Sequence, residues 1–285
     1  MDARIPPSAT TTQPGAYLPA MELDLYQVDA FASQPFAGNP ACVVPLESWL
    51  DDATMLLMAR EHAVAETSFL VRQGPGNYRL RWFTPDLEMD LCGHATLAAA
   101  HVVLAHLEPT LKEVAFETQS GQLVVTRETQ GYQMALPNRA PEPAILPVEI
   151  EESLNLQPQE VHKSRDYMLV YRNEREVEAL AINRTLFDRI DLGTGGVIVT
   201  APGKDVDFVS RFFTPQATIL EDPVTGSAHC TSAPFWAARL GQTILHARQL
   251  SERGGEVHCQ VLPSHVLVTG GAITYSVGKA FLPAQ

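Results

Sequence analysis

Phe83-Thr84-Pro85-Asp86-Leu87-Glu88-Met89-Asp90-Leu91-Cys92-Gly93-His94-Ala95-Thr96 is the stretch on which the fold turns. Just before it, Tyr78, Leu80 and Trp82 alternate with Arg79, Arg81 and Phe83, the period-two pattern of a strand with one face in a core. Thr84 and Pro85 end that strand. From Gly93 to Leu107 the chain carries no Asp, Glu, Lys or Arg, which predicts a buried helix. The same succession returns in the second half. Phe213-Thr214-Pro215 ends a strand over 206–213, and Gly226-Ser227-Ala228 opens a helix over about 226–240. A strand, a short loop, a glycine and a buried helix, given twice with the Phe-Thr-Pro turns 130 residues apart, describe a pseudo-duplicated chain of two similar domains with a cleft between them.

Outward from this pair, strands are expected over 22–31 and 41–45, bracketing the turn Phe36-Ala37-Gly38-Asn39-Pro40. Ser48-x-x-Asp51 reads as a capping box for a helix reaching about Val64. A strand follows over Thr67–Arg72, and Gly74-Pro75-Gly76-Asn77 turns the chain. After the first buried helix, strands are expected over 112–118, 122–127 and 131–136. Pro137, Pro141, Pro143 and Pro147 then place a linker at 137–147. The second half reads as strand 166–171, helix 174–181, strands 196–200 and 206–213, the second buried helix, and strands near 244–250, 256–261, 265–269 and 273–278. This gives a first domain over 21–136 and a second over 148–272. Residues 1–20, with four prolines among Ser, Thr and Ala, read as a tail.

The 285 residues carry 20 basic and 33 acidic side chains, a net charge of −13, which argues against nucleic acid or an anionic membrane as partner. The apolar stretch 91–107 is too short to span a bilayer. No basic segment followed by an apolar one opens the chain, so no secretory leader is expected. Cys42, Cys92, Cys230 and Cys259 lack C-x-x-C spacing and read as free thiols in a reducing cytoplasm.

Glycine at a helix entrance lets a ligand approach the backbone. The first-turn N–H groups lack intrahelical partners, and the helix dipole favours an anion. Gly93 and Gly226 facing one cleft would hold a small carboxylate without Lys or Arg; each alone also reads as a simple cap. Glu66 lies where a helix passes into an apolar strand, and its counterpart at offset 130 is Gly196. One acid on a doubled scaffold suits a single general base, and a solvated helix-end glutamate fits the same position. His94, one residue into its helix, reads as a neutral imidazole because the dipole disfavours its cation. Asp222 and Ser227 flank the second entrance, where loop and cap chemistry is equally usual. Cys92-Gly93-His94 and His229-Cys230 carry donor atoms, yet no nearby carboxylate or paired spacing completes a zinc set, so no metal is expected. No nucleotide or serine-hydrolase string is present.

Phe36-Ala37-Gly38-Asn39-Pro40, Ala65-Glu66-Thr67-Ser68-Phe69, Phe83-Thr84-Pro85 with Cys92-Gly93-His94-Ala95-Thr96, and Glu221-Asp222-Pro223-Val224-Thr225-Gly226-Ser227-Ala228 resemble, in order, the signatures of the phenazine-biosynthesis PhzF-like family. The resemblance spans roughly residues 22–280. It implies a diaminopimelate-epimerase-like fold, with two pseudo-symmetric domains, each a curved mixed sheet around a central helix. It also implies that a final strand, about 273–285, returns to the first domain. The implied activity is a cofactor-independent isomerase, homodimeric, that moves a proton between carbons of a small carboxylate-bearing substrate. By resemblance Glu66 is base and acid, and His94, Asp222 and Ser227 are polar groups around the substrate. Gly93 and Gly226 hold its carboxylate, Asn39 lines the cleft and Cys92 adjoins it. Racemases on this fold oppose two cysteines; here the second place falls at Pro223. An amino-acid racemase or epimerase using Cys92 opposite Glu66, and a non-catalytic binding or interaction protein, are the alternatives.

Overall fold

The computed structural model describes residues 21–283, so the expected tail over 1–20 lies outside the described residues. The first half runs β1 (Met21–Ala30), β2 (Asn39–Leu46), α1 (Asp52–His62), β3 (Glu66–Gly74), β4 (Asn77–Phe83), β5 (Glu88–Met89), α2 (Gly93–Val102), β6 (Glu113–Thr118), β7 (Gly121–Glu128) and β8 (Gly131–Pro137). The second runs β9 (Glu142–Pro143), α3 (Val148–Ser153), β10 (Glu160–Lys163), β11 (Tyr167–Val170), α4 (Glu174–Glu178), α5 (Arg184–Phe187), β12 (Val197–Pro202), β13 (Phe208–Phe213), β14 (Glu221–Asp222), α6 (His229–Leu240), β15 (Ile244–Gln249), β16 (Gly255–Val261), β17 (His265–Gly270) and β18 (Ala272–Leu282).

Strand pairing repeats across the halves. β2 is parallel to β3, β3 antiparallel to β4, and β4 parallel to β6, after which β6, β7 and β8 form a meander. β11, β12, β13, β15, β16 and β17 repeat those relations in the same sequence. β8 and β17, equivalent strands, pair antiparallel with each other and join the halves. The edges are exchanged. β18, from the end of the chain, pairs with β1, while β9, which follows the first half, pairs with β10.

Burial follows the alternation of the strands. Tyr78, Leu80 and Trp82 of β4 enter the core around α2, while Phe83 joins Phe69, Val71, Met55 and Met58 beneath α1. Nine of the ten residues of α2 are buried, which is why that helix can be apolar on every side. It closes in a π-helical turn, Val103–Leu107. α6 contains Pro234, which has no N–H to offer the carbonyl of Cys230. Arg139 N–H donates to that carbonyl instead, at 2.9 Å, and so pins the inter-half segment to the helix.

Several boundaries differ from expectation. Asp51, not Ser48, caps α1, accepting from Thr54 N–H at 2.9 Å; Leu50 must first enter the core beneath the helix. The second buried helix opens in a 3₁₀ turn, Gly226–Ala228, before α6. The segment 137–147 contains β9, because an X-Pro pair can still occupy a sheet edge. β5, α3, β10, α5 and β14 went unread. Among the described residues no helix is long and apolar enough to cross a membrane.

Candidate active site

The register sets the two halves side by side at the site. Thr67 lies opposite Phe83 and Val197 opposite Phe213, so Glu66, the first residue of β3, has Gly196 as its structural counterpart. A Cβ at Gly196 would stand 2.4 Å from Phe212 Cζ and 2.8 Å from the Phe213 carbonyl oxygen. No side chain fits there, and the acid exists on one side only.

Beyond the Phe-Thr-Pro turns the offset changes. Glu88 of β5 lies opposite Phe83, and Glu221 of β14 opposite Phe213; the second loop is three residues longer. Cys92 therefore matches Thr225, Gly93 matches Gly226 and His94 matches Ser227. The second cysteine position of a two-thiol racemase falls on Thr225 rather than on Pro223, and a threonine hydroxyl is no more a proton-transferring thiol. A matched pair of bidentate ion pairs fixes each short strand. Arg81 grips Glu88 at 2.7 and 2.6 Å, and Arg211 grips Glu221 at 2.7 and 2.9 Å.

These constraints bring the two helix starts together. A Cβ on Gly93 would lie 3.3 Å from Gly226 Cα and 3.5 Å from Ser227 N. Both backbones open onto a cavity of about 480 Å³ whose lining includes Glu66, Cys92, His94, Asp222 and Ser227. The helix-start N–H groups, Glu66 and the polar groups thus share one enclosure. Asn39 does not line it. Asn39 is fully buried behind Asp222 and donates through Nδ2 to Asp222 Oδ1 at 2.7 Å and to the Val224 carbonyl at 2.9 Å. Thr225 Oγ1 donates to the other Asp222 oxygen. Gln249, also fully buried, accepts from Thr225 N–H at 2.8 Å and donates to the Asp222 carbonyl at 2.7 Å. Thr225 and Gln249 carry no local sequence signal, because their role arises only when β15 meets the loop before α6. Arg165 is the one Arg or Lys among the cavity-lining residues.

His94 Nε2 stands 3.0 Å from Glu66 Oε2, and His94 Nδ1 stands 3.5 Å from Cys92 Sγ. Burial opposes charge on His94, but Cys92 and Glu66, one at each ring nitrogen, outweigh it and hold its pKa well above the ordinary value. The Cys92 thiol is pushed up to about 11 by burial and then by Glu66. A helix end disfavours the His94 cation, as the sequence pattern suggests; the structure adds Cys92 and Glu66 at the two ring nitrogens, which act the other way. Burial raises Asp222 to about 6; His94 works against that rise and Glu66 adds to it. His229, pushed down to about 4 by burial, is neutral and donates through Nδ1 to the Thr225 carbonyl at 2.9 Å.

Glu66, Cys92 and His94 bring their donor atoms within 4.8 Å of one another, so a carboxylate does join the cysteine and histidine that looked incomplete in sequence. The imidazole stands between the other two, one nitrogen facing each. That is a chain of hydrogen-bonding groups, and the same three donors could also hold a metal ion.

The model for the phenazine biosynthesis-like proteins, PhzC-PhzF, matches residues 28–278. The chain belongs to this PhzF-like family. An uncharacterized isomerase of Pseudomonas aeruginosa is 46% identical over 263 residues, covering 92% of this chain and all of that relative. The crystal structure of a PhzF-family phenazine biosynthesis protein of Enterococcus faecalis has a TM-score of 0.86 at 43% identity, covering 92% of this chain and 100% of that one. A probable proline racemase of Agrobacterium radiobacter, at 12% identity and a TM-score of 0.63, covers 90% of this chain and 92% of its own, and shares the fold alone. The PhzF-like chain thus has the α+β epimerase-type fold.

Proposed function

We propose that this protein is an isomerase that moves a proton between two carbons of a small carboxylate-bearing substrate, with Glu66 as base and then acid. The carrying observation is one acid, paired with His94 at 3.0 Å, beside two abutting glycine helix starts in a single cavity. The substrate carboxylate is held by the Gly93 and Gly226 backbones, where N–H groups and helix dipoles favour an anion. Glu66 takes a proton from a carbon next to an electron-withdrawing group. The electron pair left behind shifts through the substrate, and Glu66 returns the proton to another carbon. His94, paired with Glu66 at one ring nitrogen, donates a hydrogen bond to the charge that develops. Asp222, held by Asn39 and Thr225, and Ser227 position the polar groups of the substrate. Bonds and electrons balance within one molecule, so the step asks for no redox cofactor.

The reading is completed by two lobes, 21–136 with the returning strand and 148–272, working as a cytoplasmic homodimer. The isomerase part of it is supported by the family and by relatives that carry the name isomerase.

The test is deuterium incorporation from D₂O into candidate small carboxylates, followed by mass spectrometry. Wild type should exchange one carbon-bound hydrogen, and Glu66→Gln should lose about 100- to 10,000-fold in rate, the usual contribution of a positioned base. Full exchange by the Gln variant would remove Glu66 from this role. Loss in Cys92→Ser with inversion at one carbon would establish the racemase instead. Binding without exchange would establish a binding protein.

A further inference from the structure

The hairpin β15–β16 carries a second cluster of ligand-forming side chains. His246 and His258 face each other as a directly opposed pair, their rings stacked with centroids 4.4 Å apart. Glu256, two residues before His258, lies on the same face by the period of the strand. Its Oε2 stands 3.3 Å from His246 Nε2. That nitrogen is buried, with the Glu256 carboxylate as its partner. The other carboxylate oxygen, Oε1, accepts from Arg248 Nη2 at 3.2 Å, which orients the group and leaves Oε2 toward the histidines. Ligand atoms of all three residues lie within 4.8 Å of one another.

We propose that His246, Glu256 and His258 form a surface site for a divalent transition-metal ion, with zinc as its representative. Two imidazoles and one carboxylate are a borderline donor set that suits zinc, nickel or copper rather than calcium or magnesium. Two ligands about 2.0–2.1 Å from a tetrahedral zinc stand about 3.4 Å apart, and the His246–Glu256 separation matches that edge. The remaining motion is a swing of the His258 ring on an exposed sheet face. Three protein ligands leave the fourth position to water. Arg248 serves as the outer partner that aims the carboxylate. The ion would bridge neighbouring strands.

The experiment is competition for zinc chloride between the full chain, stripped with a chelator, and a chromophoric chelator. Wild type should take up zinc at this site, and His246→Ala, His258→Ala and Glu256→Gln should each weaken it at least about 10-fold. His94→Ala, which breaks the other donor cluster, should leave that affinity in place. Zinc should also raise the melting temperature of wild type and not of His258→Ala. X-ray absorption at the zinc edge should report nitrogen and oxygen neighbours without sulfur. Unchanged zinc affinity in the His246 and His258 variants would overturn the site. So would loss of uptake in His94→Ala alone, or a sulfur neighbour.

Discussion

Asp222 offers a test of the site that requires no substrate. Burial lifts its carboxyl from 3.8 to about 6 in the folded chain. In the unfolded chain it titrates near its ordinary value. Between about pH 4 and pH 6 the native state therefore keeps a proton that the unfolded state has released, and stability falls as pH rises through that window. The rise of about two units corresponds to about 3 kcal/mol, fully lost above the folded-state value. Asp222→Asn removes the titration while keeping the shape of the neutral acid. Its amide oxygen can accept from Asn39 Nδ2, and its amide nitrogen can donate to Thr225 Oγ1, the two groups that now hold the carboxyl. The assay is urea unfolding of both proteins from pH 4 to pH 7. Titrating groups away from the site are common to the two, so the informative quantity is their difference at each pH, which reports Asp222 together with its neighbours His94 and Glu66. The variant should gain about 3 kcal/mol on wild type across the window, or about 6–12 °C in melting temperature at about 2–4 °C per kcal/mol. A difference that stays constant from pH 4 to pH 7 would refute the claim that Asp222 is buried without full compensation for its charge.

Gly93→Ala should lower the melting temperature slightly, because a methyl group pressed on Gly226 costs about 1–3 kcal/mol while helix propensity returns about 1 kcal/mol. The same variant should reduce proton exchange by up to about 100-fold, since the carboxylate-binding backbones are forced apart; unchanged exchange would show that their spacing is immaterial. Gly196→Ala should destabilise by at least about 1–3 kcal/mol in thermal unfolding, because the added carbon meets both a ring and a backbone carbonyl. Iodoacetamide at pH 8 should leave the native thiols unmodified by mass spectrometry and label all four after unfolding. Burial raises every one of them, Cys92 to about 11 and Cys42 and Cys230 to about 12.

What could be read in the sequence was whatever a local pattern carries. The alternation through Tyr78, Leu80 and Trp82, the uncharged helix from Gly93 and the repeated Phe-Thr-Pro turn all correspond to elements of the structure. The strands Glu88–Met89 and Glu221–Asp222 are too short to show any period, yet their pairing reveals the three-residue insertion that moves the partner of Cys92 from Pro223 to Thr225. β10 escaped notice because its residues are half-buried and mixed in polarity. Asn39 was legible as a member of a motif, but its place behind Asp222 depends on contacts more than 180 residues apart in the chain. Gln249 was illegible for the same reason. The surroundings of His94 are only partly local, because Cys92 and the helix end are visible in sequence and Glu66, on another strand, is not.

The exchange of edge strands bears on how such a molecule could arise. β9 completes the half that follows it and β18 completes the half that precedes it, so neither half owns its own border. A gene of half the length would encode a chain whose final strand lies against a second copy, an intertwined dimer in which both copies depend on each other to close. Fusing two such copies end to end keeps every pairing while releasing the two genes' worth of sequence to diverge. One copy could then carry a glutamate where the other came to carry a glycine beneath a phenylalanine ring, and a ligand lying on the former dyad would meet two different faces.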